Sequence, residues 1–421
     1  MSRWMPVLFA IGCAADAPHG PRHAPPTWVE VAPIVARCAG CHDGTGLTIP
    51  LRTWREFQAF APVIGSVVAS RTMPPWRAGP GDVAFLDDPS LTDDEIATVT
   101  AWADADGPLG DGDPDALLSG PEPQALDDVD VTLRMDDGYV PTVVPDDNRC
   151  FVLDRSAIGD AWVTGLRIRP GAGSGAHHMM LVAVTPTDAE NTPQLADAGD
   201  PGPGFACKPE ETGGSSFPGD YVQLGGWLPG RGAESFPDGV GMHLPADATV
   251  ILKAHYFTPG SDGAPDWSRV EFTLADEVDR KAADVKIGTS AWSRHNSVAV
   301  PAGERQRHTL TTTVSGETDA LPEFHDEDGV LVHWVLLHMH TTGVSAKLEV
   351  IRGDETLTLL DIPRWDYDWQ LEYWLQEPFS LRPTDQLRLS CLYDNRTDQD
   401  VWWGEETTDE MCVARILVSE P

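Results

Sequence analysis

The hydrophobic pattern of the chain changes near residue 129, and the part before this point has helical spacing. In residues 28–42, WVEVAPIVARCAGCH, apolar side chains recur at i, i+3, i+4 and i+7, which predicts one apolar helix face. A second helix is predicted in residues 91–108, because Thr92 and Glu95 form a capping-box pattern at its start and a Gly-Pro pair ends it. The stretch between the two helices is predicted to be rich in loops.

From residue 129 onwards, short runs of alternating apolar and polar residues are separated by turn residues. This alternation is typical of strands with one buried face and predicts antiparallel β-sandwiches. The region is large for one sandwich, so we divide it into two near residue 280. The runs that carry the prediction are 129–135, 161–170, 221–229, 249–257, 268–276, 308–315, 346–352, 356–363, 385–393 and 412–420.

The charge balance restricts the partners of the protein. With 29 Lys and Arg against 66 Asp and Glu, the formal net charge is −37. Such a field repels phosphates, which excludes nucleic acid and anionic membrane surfaces as binding partners. The charge fits a protein kept soluble after export.

The N-terminus indicates export. MSRWMPVLFAIGC has an early arginine, an apolar stretch and then Gly-Cys, which resembles a bacterial lipoprotein signal with Cys13 as the lipidated residue. We therefore expect a periplasmic protein or an outer-membrane-anchored lipoprotein. No later run of about 18 apolar residues predicts a transmembrane helix.

The sequence CAGCH at residues 38–42 has the C-x-x-C-H spacing of covalent haem attachment. Cys38 and Cys41 would bond the haem vinyl groups, and His42 would bind the iron. Met73, in RTMPPW, would be the second axial ligand, since a thioether suits electron transfer; a core methionine is the alternative reading. A redox dithiol is the alternative for the motif itself. Residues 38–78 also resemble the small cytochrome c domains fused to copper monooxygenases in some bacteria.

Four clusters in the β-region carry soft metal ligands. His338 and His340, in LLHMHTTG, are two residues apart on a predicted strand, so their imidazoles share one face. Adding a thioether gives a set that prefers Cu(I) to zinc. The other clusters are GAHHMMLVAV, LKAHYF and TTDEMCVARI, with His177, His178, His255 and Met411.

Each of these clusters also has a structural interpretation when taken alone. Adjacent strand residues point to opposite faces, so His177 and His178 reach one metal only at a bulge, a strand end or a strong twist. His255 also fits a hydrogen-bonded sandwich histidine, and Met411 fits a core residue. The number and order of the clusters favour metal binding.

Together the clusters resemble the copper type II, ascorbate-dependent monooxygenases, the family of dopamine β-monooxygenase and peptidylglycine α-hydroxylating monooxygenase. The resemblance covers roughly residues 130–418. It implies one copper held by His177, His178 and His255, and a catalytic copper held by His338, His340 and Met411, the last residue of TDEM. The predicted fold is thus multidomain, a small all-α cytochrome c domain followed by two antiparallel β-sandwich (jelly-roll) domains.

The resemblance also implies the reaction. O₂ and a small organic substrate meet at the catalytic copper, a substrate C–H bond is hydroxylated, and the three-histidine copper delivers the second electron. Ascorbate or a redox protein is the expected donor. The short linker at 108–128 suggests that the fused haem also feeds electrons to the coppers. The expected segments are a signal or lipoprotein segment 1–13, a linker 14–27, a haem domain 28–107, the linker 108–128, and sandwiches 129–280 and 281–421.

The family pattern implies a disulfide between Cys391 and Cys412, next to the methionine ligand. If Cys13 carries lipid and the C-x-x-C cysteines carry haem, Cys150 and Cys207 are the remaining pair.

The sequence departs from the peptide-amidating members of the family. Their substrate-carboxylate arginine, asparagine and tyrosine correspond here to Leu336, Val413 and Arg415. Peptidylglycine is therefore not the expected substrate. Arg415 fits either an anion contact or a surface strand arginine, and Thr341 stands where the family usually has a third histidine.

The remaining histidines are expected to be structural or exposed, with His243 the strongest exception because it precedes the His255 strand. They are His19, His23, His243, His295, His308, His325 and His333. Two alternatives to the enzyme stay open. One is a non-catalytic exported protein for haem electron transfer or copper binding, and the other is an adhesion or carbohydrate-binding sandwich.

Overall fold

The structure of the protein is a computed structural model. It describes residues 24–43, 48–120, 124–171, 175–190, 192–207, 220–289, 298–313, 329–404 and 408–421, together with Trp292. Cys13, His19, His23, His295 and His325 lie outside the described residues. Strands are the most common regular secondary structure among the described residues.

Helices dominate the part before residue 108. They are α1 (Trp28–Val35), α2 (Trp54–Ala59), α3 (Ala61–Ala69) and α4 (Asp93–Asp104), and a later helix, α5 (Pro193–Gly199), lies in the β-region. A 3₁₀ turn, Ala36–Gly40, continues α1 into the C-x-x-C-H motif. None of the described helices is long and apolar enough to cross a membrane.

The ends of these helices follow local capping signals. The predicted capping box of α4 is present, with the Thr92 backbone N donating to Glu95 Oε2 at 2.8 Å. Most of the described stretch between α1 and α4 is loop, as predicted, but it also contains the short helices α2 and α3. α2 has its own capping box, Thr53 and Glu56, and the apolar run of α3 packs into the helical core.

Strands follow from residue 131. They are β1 (Val131–Arg134), β2 (Asp146–Leu153), β3 (Ala161–Arg169), β4 (Ala176–Thr185), β5 (Phe205–Ala206), β6 (Asp220–Trp227), β7 (Glu234–Ser235), β8 (Val240–Leu244), β9 (Thr249–Phe257), β10 (Arg269–Ala275), β11 (Arg280–Ile287), β12 (Ala299–Val300), β13 (Arg305–Thr313), β14 (Val330–His338), β15 (Gly343–Arg352), β16 (Glu355–Ile362), β17 (Tyr373–Leu381), β18 (Gln386–Asp394), β19 (Val401–Trp402) and β20 (Val413–Ser419). Each of the ten predicted runs overlaps one of these strands.

One long sheet connects the two halves of the β-region. Its order is β1-β10-β3-β8-β11-β20-β14-β17, and β7 pairs with β3. The two halves join where β8 and β11 pair in parallel, an exception to the predicted antiparallel arrangement. The remaining sheets have the orders β5-β2-β9-β4-β6, β13-β18-β15-β16 and β12-β19.

Two large cores lie on this sheet. The first core packs its N-terminal half against the five-stranded sheet, with Leu166, Leu181 and Leu252 fully buried. The second core packs its C-terminal half against the four-stranded sheet, with Val335 and Leu389 among its members. Burial of such apolar surface is the main stabilising term of both layers.

The C-terminal half of the long sheet uses both faces. Val335 and Leu337 of β14 face the second core, whereas Trp334 and Leu336 belong to the first core. Because side chains alternate along a strand, His338 lies on the Leu336 face, which looks toward the first sandwich.

The helical unit is docked on the second sandwich through residues 74–88. Trp76 and Phe85 pack on Tyr373, with ring centroids 4.9 and 5.5 Å from that of Tyr373. Backbone hydrogen bonds join this segment to β17, for example from Gln376 N to Ala84 O at 2.9 Å. The helical unit is therefore held against the β-region by more than its linker.

Candidate metal centres

Three imidazoles meet at a bulge between β4 and β9. The pairing of these strands shifts between Ala176 and His178, and His255 lies opposite His178. The bulge turns both neighbouring histidines toward His255, so that the ligand atoms of the three side chains lie within 4.8 Å of one another. The Nδ1 atom of His255 is 3.4 Å from that of His177 and 3.3 Å from that of His178.

Burial favours the neutral form of two of these rings. Desolvation and the neighbouring His255 ring lower the pKa of His177, and they also lower the pKa of His178 although part of that residue is exposed. The Nε2 atom of His255 lies 2.8 Å from Asp146 Oδ1. Neutral imidazoles with converging Nδ1 atoms suit a soft or borderline metal ion such as copper.

His338 and His340 form a second pair, with ring centroids 5.0 Å apart. β14 ends at His338, and Met339 between the two histidines is fully buried in the second core. The Nδ1 atom of His338 hydrogen-bonds the Gln370 side-chain oxygen, and that of His340 lies 3.1 Å from the Asp409 carbonyl oxygen. These acceptors hold Nδ1–H tautomers and leave both Nε2 atoms to bind a metal.

A buried carboxylate joins the segment of this pair to the TDEM segment. Glu410 accepts hydrogen bonds from the backbone N of His340 at 2.9 Å and from the backbone N of Thr342 at 2.7 Å. Met411 follows directly, and its carbonyl oxygen accepts a hydrogen bond from Tyr393 at 2.8 Å. The chain around Met411 is thus held beside His340.

Both predicted disulfides are present. Cys391 on β18 is bonded to Cys412, the residue after Met411. Cys150 on β2 is bonded to Cys207. The Cys391–Cys412 bridge links the chain just before β20, which follows the TDEM segment, to β18 of the second core.

Residues 363–372, here named the bridging loop, connect β16 to β17 and touch three parts of the protein. Gln370 contacts His338, and Trp365 Nε1 donates to the His340 carbonyl oxygen at 3.0 Å. Arg364 donates to the Ser70 carbonyl oxygen at the end of α3 at 3.1 Å. Asp368 lies close enough to the three-histidine cluster to influence the pKa of His177.

Charged residues fill the contact between the sandwiches, beside the His338 face. Arg415 forms an ion pair with Asp284, and its guanidinium carbon is 5.5 Å from the centre of the Trp334 ring. Its side chain is only 11% exposed, which excludes the alternative of a surface strand arginine, and Asp284 neutralises it. Lys286 donates to the Tyr221 hydroxyl across the contact at 2.8 Å.

The C-x-x-C-H motif lies where α1 and its 3₁₀ turn end. Cys38 and Cys41 are not bonded to each other, and burial raises the pKa of both thiols. The Nδ1 atom of His42 lies 2.8 Å from the Ile49 carbonyl oxygen, which leaves Nε2 to bind iron. Met73 follows α3 and is partly buried. Two unpaired thiols and a His42 ring held at Nδ1 fit a c-type haem.

Three other histidines have structural partners. His243 pairs with Asp160 at 3.1 Å, His308 with the Ala299 carbonyl oxygen at 3.0 Å, and buried His333 with the Ser419 hydroxyl at 2.8 Å. His243 lies on β8 in the long sheet, whereas His255 lies on β9 in the five-stranded sheet.

A comparison with known protein families gives a match over the region that contains the second centre, which is formed by His338, His340 and the TDEM segment. Residues 285–418 match the family model "Copper type II ascorbate-dependent monooxygenase, C-terminal domain". This match supports the predicted family. The matched range contains His338, His340 and Met411 and begins beside the junction of the two cores.

Curated relatives with sequence similarity to this chain are monooxygenases by name. DBH-like monooxygenase protein 1 of Homo sapiens is 28% identical over 200 residues, and that of Mus musculus is 31% identical over 199 residues. Each alignment covers 45% of this chain and 32% of the relative. The chain thus spans about a third of the length of the curated relatives it matches.

Among solved structures, the major capsid protein P2 of bacteriophage PM2 aligns with 69% of this chain and 96% of its own length, at 9% identity. The TM-score of 0.26 is too low to indicate a shared fold.

Proposed function

We propose that this protein is an exported, copper- and O₂-dependent monooxygenase that hydroxylates a C–H bond of a small organic substrate. The observation that carries the proposal is the pair of separate imidazole clusters, one of which lies in the region that matches the monooxygenase family. The balanced reaction is R–H + O₂ + 2 electrons + 2 protons giving R–OH + H₂O. An ascorbate-like reductant or the fused haem supplies the electrons.

The residues of the two centres fit copper in different ways. His177, His178 and His255 would hold one ion through three nitrogens, and His338, His340 and Met411 would hold the other through two nitrogens and a sulfur. Copper supplies one-electron redox chemistry at both centres and O₂ activation at the second. The thioether favours the reduced ion that O₂ chemistry requires.

The protein prepares the second centre through its own hydrogen bonds. Gln370 and the Asp409 carbonyl oxygen fix the ring orientations of His338 and His340. Glu410 holds the backbone between the histidines and Met411. Tyr367 lies beside His340, with ring centroids 6.3 Å apart.

A c-type haem on the helical unit is the second part of the proposal. Cys38 and Cys41 would form thioethers with the haem vinyl groups, His42 would bind iron through Nε2, and Met73 would be the opposite ligand. The docking of residues 74–88 on the second sandwich supports a role in passing electrons to the copper centres. A pyridine haemochrome spectrum tests for covalent haem, and a Cys38→Ser, Cys41→Ser variant should lose it.

Location follows from the sequence. We propose that the protein is exported to the periplasm or anchored in the outer membrane through lipid on Cys13. Mass spectrometry of the mature N-terminus from a bacterial membrane fraction tests this point. An unmodified N-terminus at Met1 would contradict it.

Activity is tested by O₂ uptake and product formation over a panel of C–H substrates. The copper-loaded wild type should turn over a substrate. Met411→Ala and His338→Ala should each lose nearly all product formation. In both variants the copper content should fall from two ions per chain toward one. Full activity in both variants would refute the copper mechanism. Copper and haem without O₂ consumption would instead favour the non-catalytic electron-transfer or copper-binding alternative.

Electron transfer from the haem has its own test. Stopped-flow reduction of the haem, followed by spectroscopic readout of the copper oxidation state, should show copper reduction after haem reduction. Reduced haem beside copper that stays oxidised would exclude the haem as the donor.

A further inference from the structure

Among the described residues, the Asp146 carboxylate contacts a ring nitrogen of the three-histidine centre. The Nε2 atom of His255 lies 2.8 Å from Asp146 Oδ1. We propose that Asp146 is a positioning residue that raises the Cu(II) affinity and lowers the reduction potential of this centre. The inference rests on the proposed function in taking copper as the metal.

The position of Asp146 follows from the register of β2 and β9. Asn148 lies opposite His255, and Asp146 lies opposite Phe257. Since Asp146 and Asn148 are two residues apart, they project from the same face of the sheet. Asp146 is thus a diagonal cross-strand neighbour of His255, a separation that an aspartate and an imidazole can span.

The contact determines which nitrogen of His255 is free. A neutral imidazole has one donor and one acceptor nitrogen. Donation of Nε2–H to the carboxylate leaves the lone pair on Nδ1, and Nδ1 is the atom that lies 3.3 and 3.4 Å from the Nδ1 atoms of His178 and His177. The carboxylate therefore selects the tautomer that the cluster needs.

The carboxylate also adds charge. Hydrogen bonding to an anion makes the imidazole a stronger donor to the metal. A stronger donor with a nearby negative charge favours Cu(II) over Cu(I). The Asp146 side chain is 48% exposed, so solvent screens part of this effect.

Among the described residues, the ring nitrogens of the second centre meet neutral partners, and its nearby carboxylate, Glu410, bonds the His340 backbone instead. His338 contacts the neutral amide of Gln370, and His340 contacts a neutral backbone carbonyl. The difference between an anionic and a neutral partner gives the three-histidine centre the lower potential of the two. Electrons would then pass from the three-histidine centre to the His338 centre, which is the direction that hydroxylation requires.

The test uses the full chain loaded with copper. Asp146→Asn keeps a hydrogen-bond acceptor and removes the charge, Asp146→Ala removes both, and Asp146→Glu keeps the carboxylate. The matched control is Asp160→Asn, because Asp160 pairs with His243 at 3.1 Å on the same sandwich, away from the centre. Cu(II) affinity is measured by chelator competition, and the potential by redox titration followed by electron paramagnetic resonance.

We expect Asp146→Ala to lower the Cu(II) affinity of the three-histidine centre about 10- to 100-fold, the range seen for partners of metal-bound histidines. A loss for Cu(II) tenfold larger than for Cu(I) raises the potential by about 59 mV. Asp146→Asn should show a smaller affinity loss with a similar direction of shift. Asp146→Glu should recover most of the affinity, and Asp160→Asn should match the wild type.

Two failures are distinguishable. Wild-type affinity and potential in Asp146→Ala, with copper bound to the three histidines, would overturn the role of Asp146 alone. A wild-type chain that binds no copper at His177, His178 and His255 would overturn the proposed function as well. Circular dichroism of each variant separates loss of copper from loss of fold.

Discussion

Cys41 lies directly against Gly230, the turn residue that follows β6. A Cβ atom added to Gly230 would come within 2.1 Å of Cys41 Sγ, and Gly230 has a φ of +86°. A cysteine of the predicted haem motif thus contacts the first sandwich at a position that only glycine suits. Trp227, three residues earlier, pairs with Met179, the residue after His178. Gly230 is thus three residues from the strand position that pairs next to His178.

Gly230→Ala should destabilise this contact beyond the cost of its backbone conformation. The new methyl group would overlap Cys41 Sγ, so the cysteine or the turn must move, at an expected cost of about 1–3 kcal/mol. Gly263→Ala is the matched control, because Gly263 has a φ of +82° and nothing within 4 Å of an added Cβ. Denaturant unfolding of both variants measures the difference. Equal losses of unfolding free energy would show that the contact contributes nothing.

Arg77 should affect the second centre although it belongs to the helical unit. Its guanidinium forms an ion pair with Asp366 of the bridging loop, and its side chain is 7% exposed. Arg77→Gln leaves Asp366 without this partner, at an expected cost of about 1–3 kcal/mol in unfolding free energy. The loop that carries Gln370 should then hold His338 less firmly and change the Cu(II) resonance signal of that centre.

Arg55→Gln is the control for Arg77→Gln. Arg55 of α2 pairs with Asp115 of the linker 108–128, and both side chains are more than 60% exposed. Solvent screens such exposed pairs, so little loss of unfolding free energy is expected. An unchanged copper signal in Arg77→Gln would show that docking and the His338 centre are independent.

Local pattern predicted much of this fold, and the reasons are visible in particular elements. β9 occupies the predicted run at 249–257, and its burial alternates from Leu252 to Phe257 as the sequence pattern does. β17 was not predicted, since its exposed stretch Gln376–Glu377–Pro378 breaks the alternation. Pairing between distant segments, such as β8 with β11 and residues 74–88 with β17, leaves no local pattern and was not foreseen.

In the candidate centres, too, local sequence patterns were predictive and tertiary contacts were not. Sequence spacing indicated the histidines and the need for a bulge at His177 and His178, and the structure has a bulge there. Asp146, Gln370 and Glu410 were not singled out, because each reaches its histidine through tertiary contacts. Glu410 lies within the TDEM motif, between Asp409 and Met411, so its position was already indicated by the sequence. Its partners, the backbone groups of His340 and Thr342, carry no sequence signature.

Removal of the Cys391–Cys412 disulfide should affect stability and the second centre together. The bridge spans 21 residues, and loops of this size contribute about 2–4 kcal/mol. A Cys391→Ser, Cys412→Ser variant should unfold at lower denaturant and bind copper more weakly at His338, because Met411 precedes the lost anchor. The matched variant, Cys150→Ser with Cys207→Ser, should lose stability but keep the second copper. Equal copper affinity at His338 in both variants would argue against a role of the Cys391–Cys412 bridge in placing Met411.

A buried carboxylate at the contact between the sandwiches should make stability depend on pH. Glu234 and Glu372 share the guanidinium of Arg231, at 3.3 and 2.6 Å. Burial raises the pKa of Glu234 to about 7; Arg231 opposes this rise and the charge of Glu372 adds to it. Its pKa in the unfolded chain is about 4.3.

The folded protein therefore binds more protons than the unfolded chain between these two values. The stabilising contribution of protonated Glu234 is fully present below about pH 4 and is lost as the pH rises through about 7. Glu234→Gln removes this titration while keeping a similar shape, so it should flatten the fall in unfolding free energy between about pH 5 and 8. Glu349→Gln, at the Arg388 ion pair of the outer sheet, is the control and should keep the wild-type slope. A wild-type slope in Glu234→Gln would assign the pH dependence to another group.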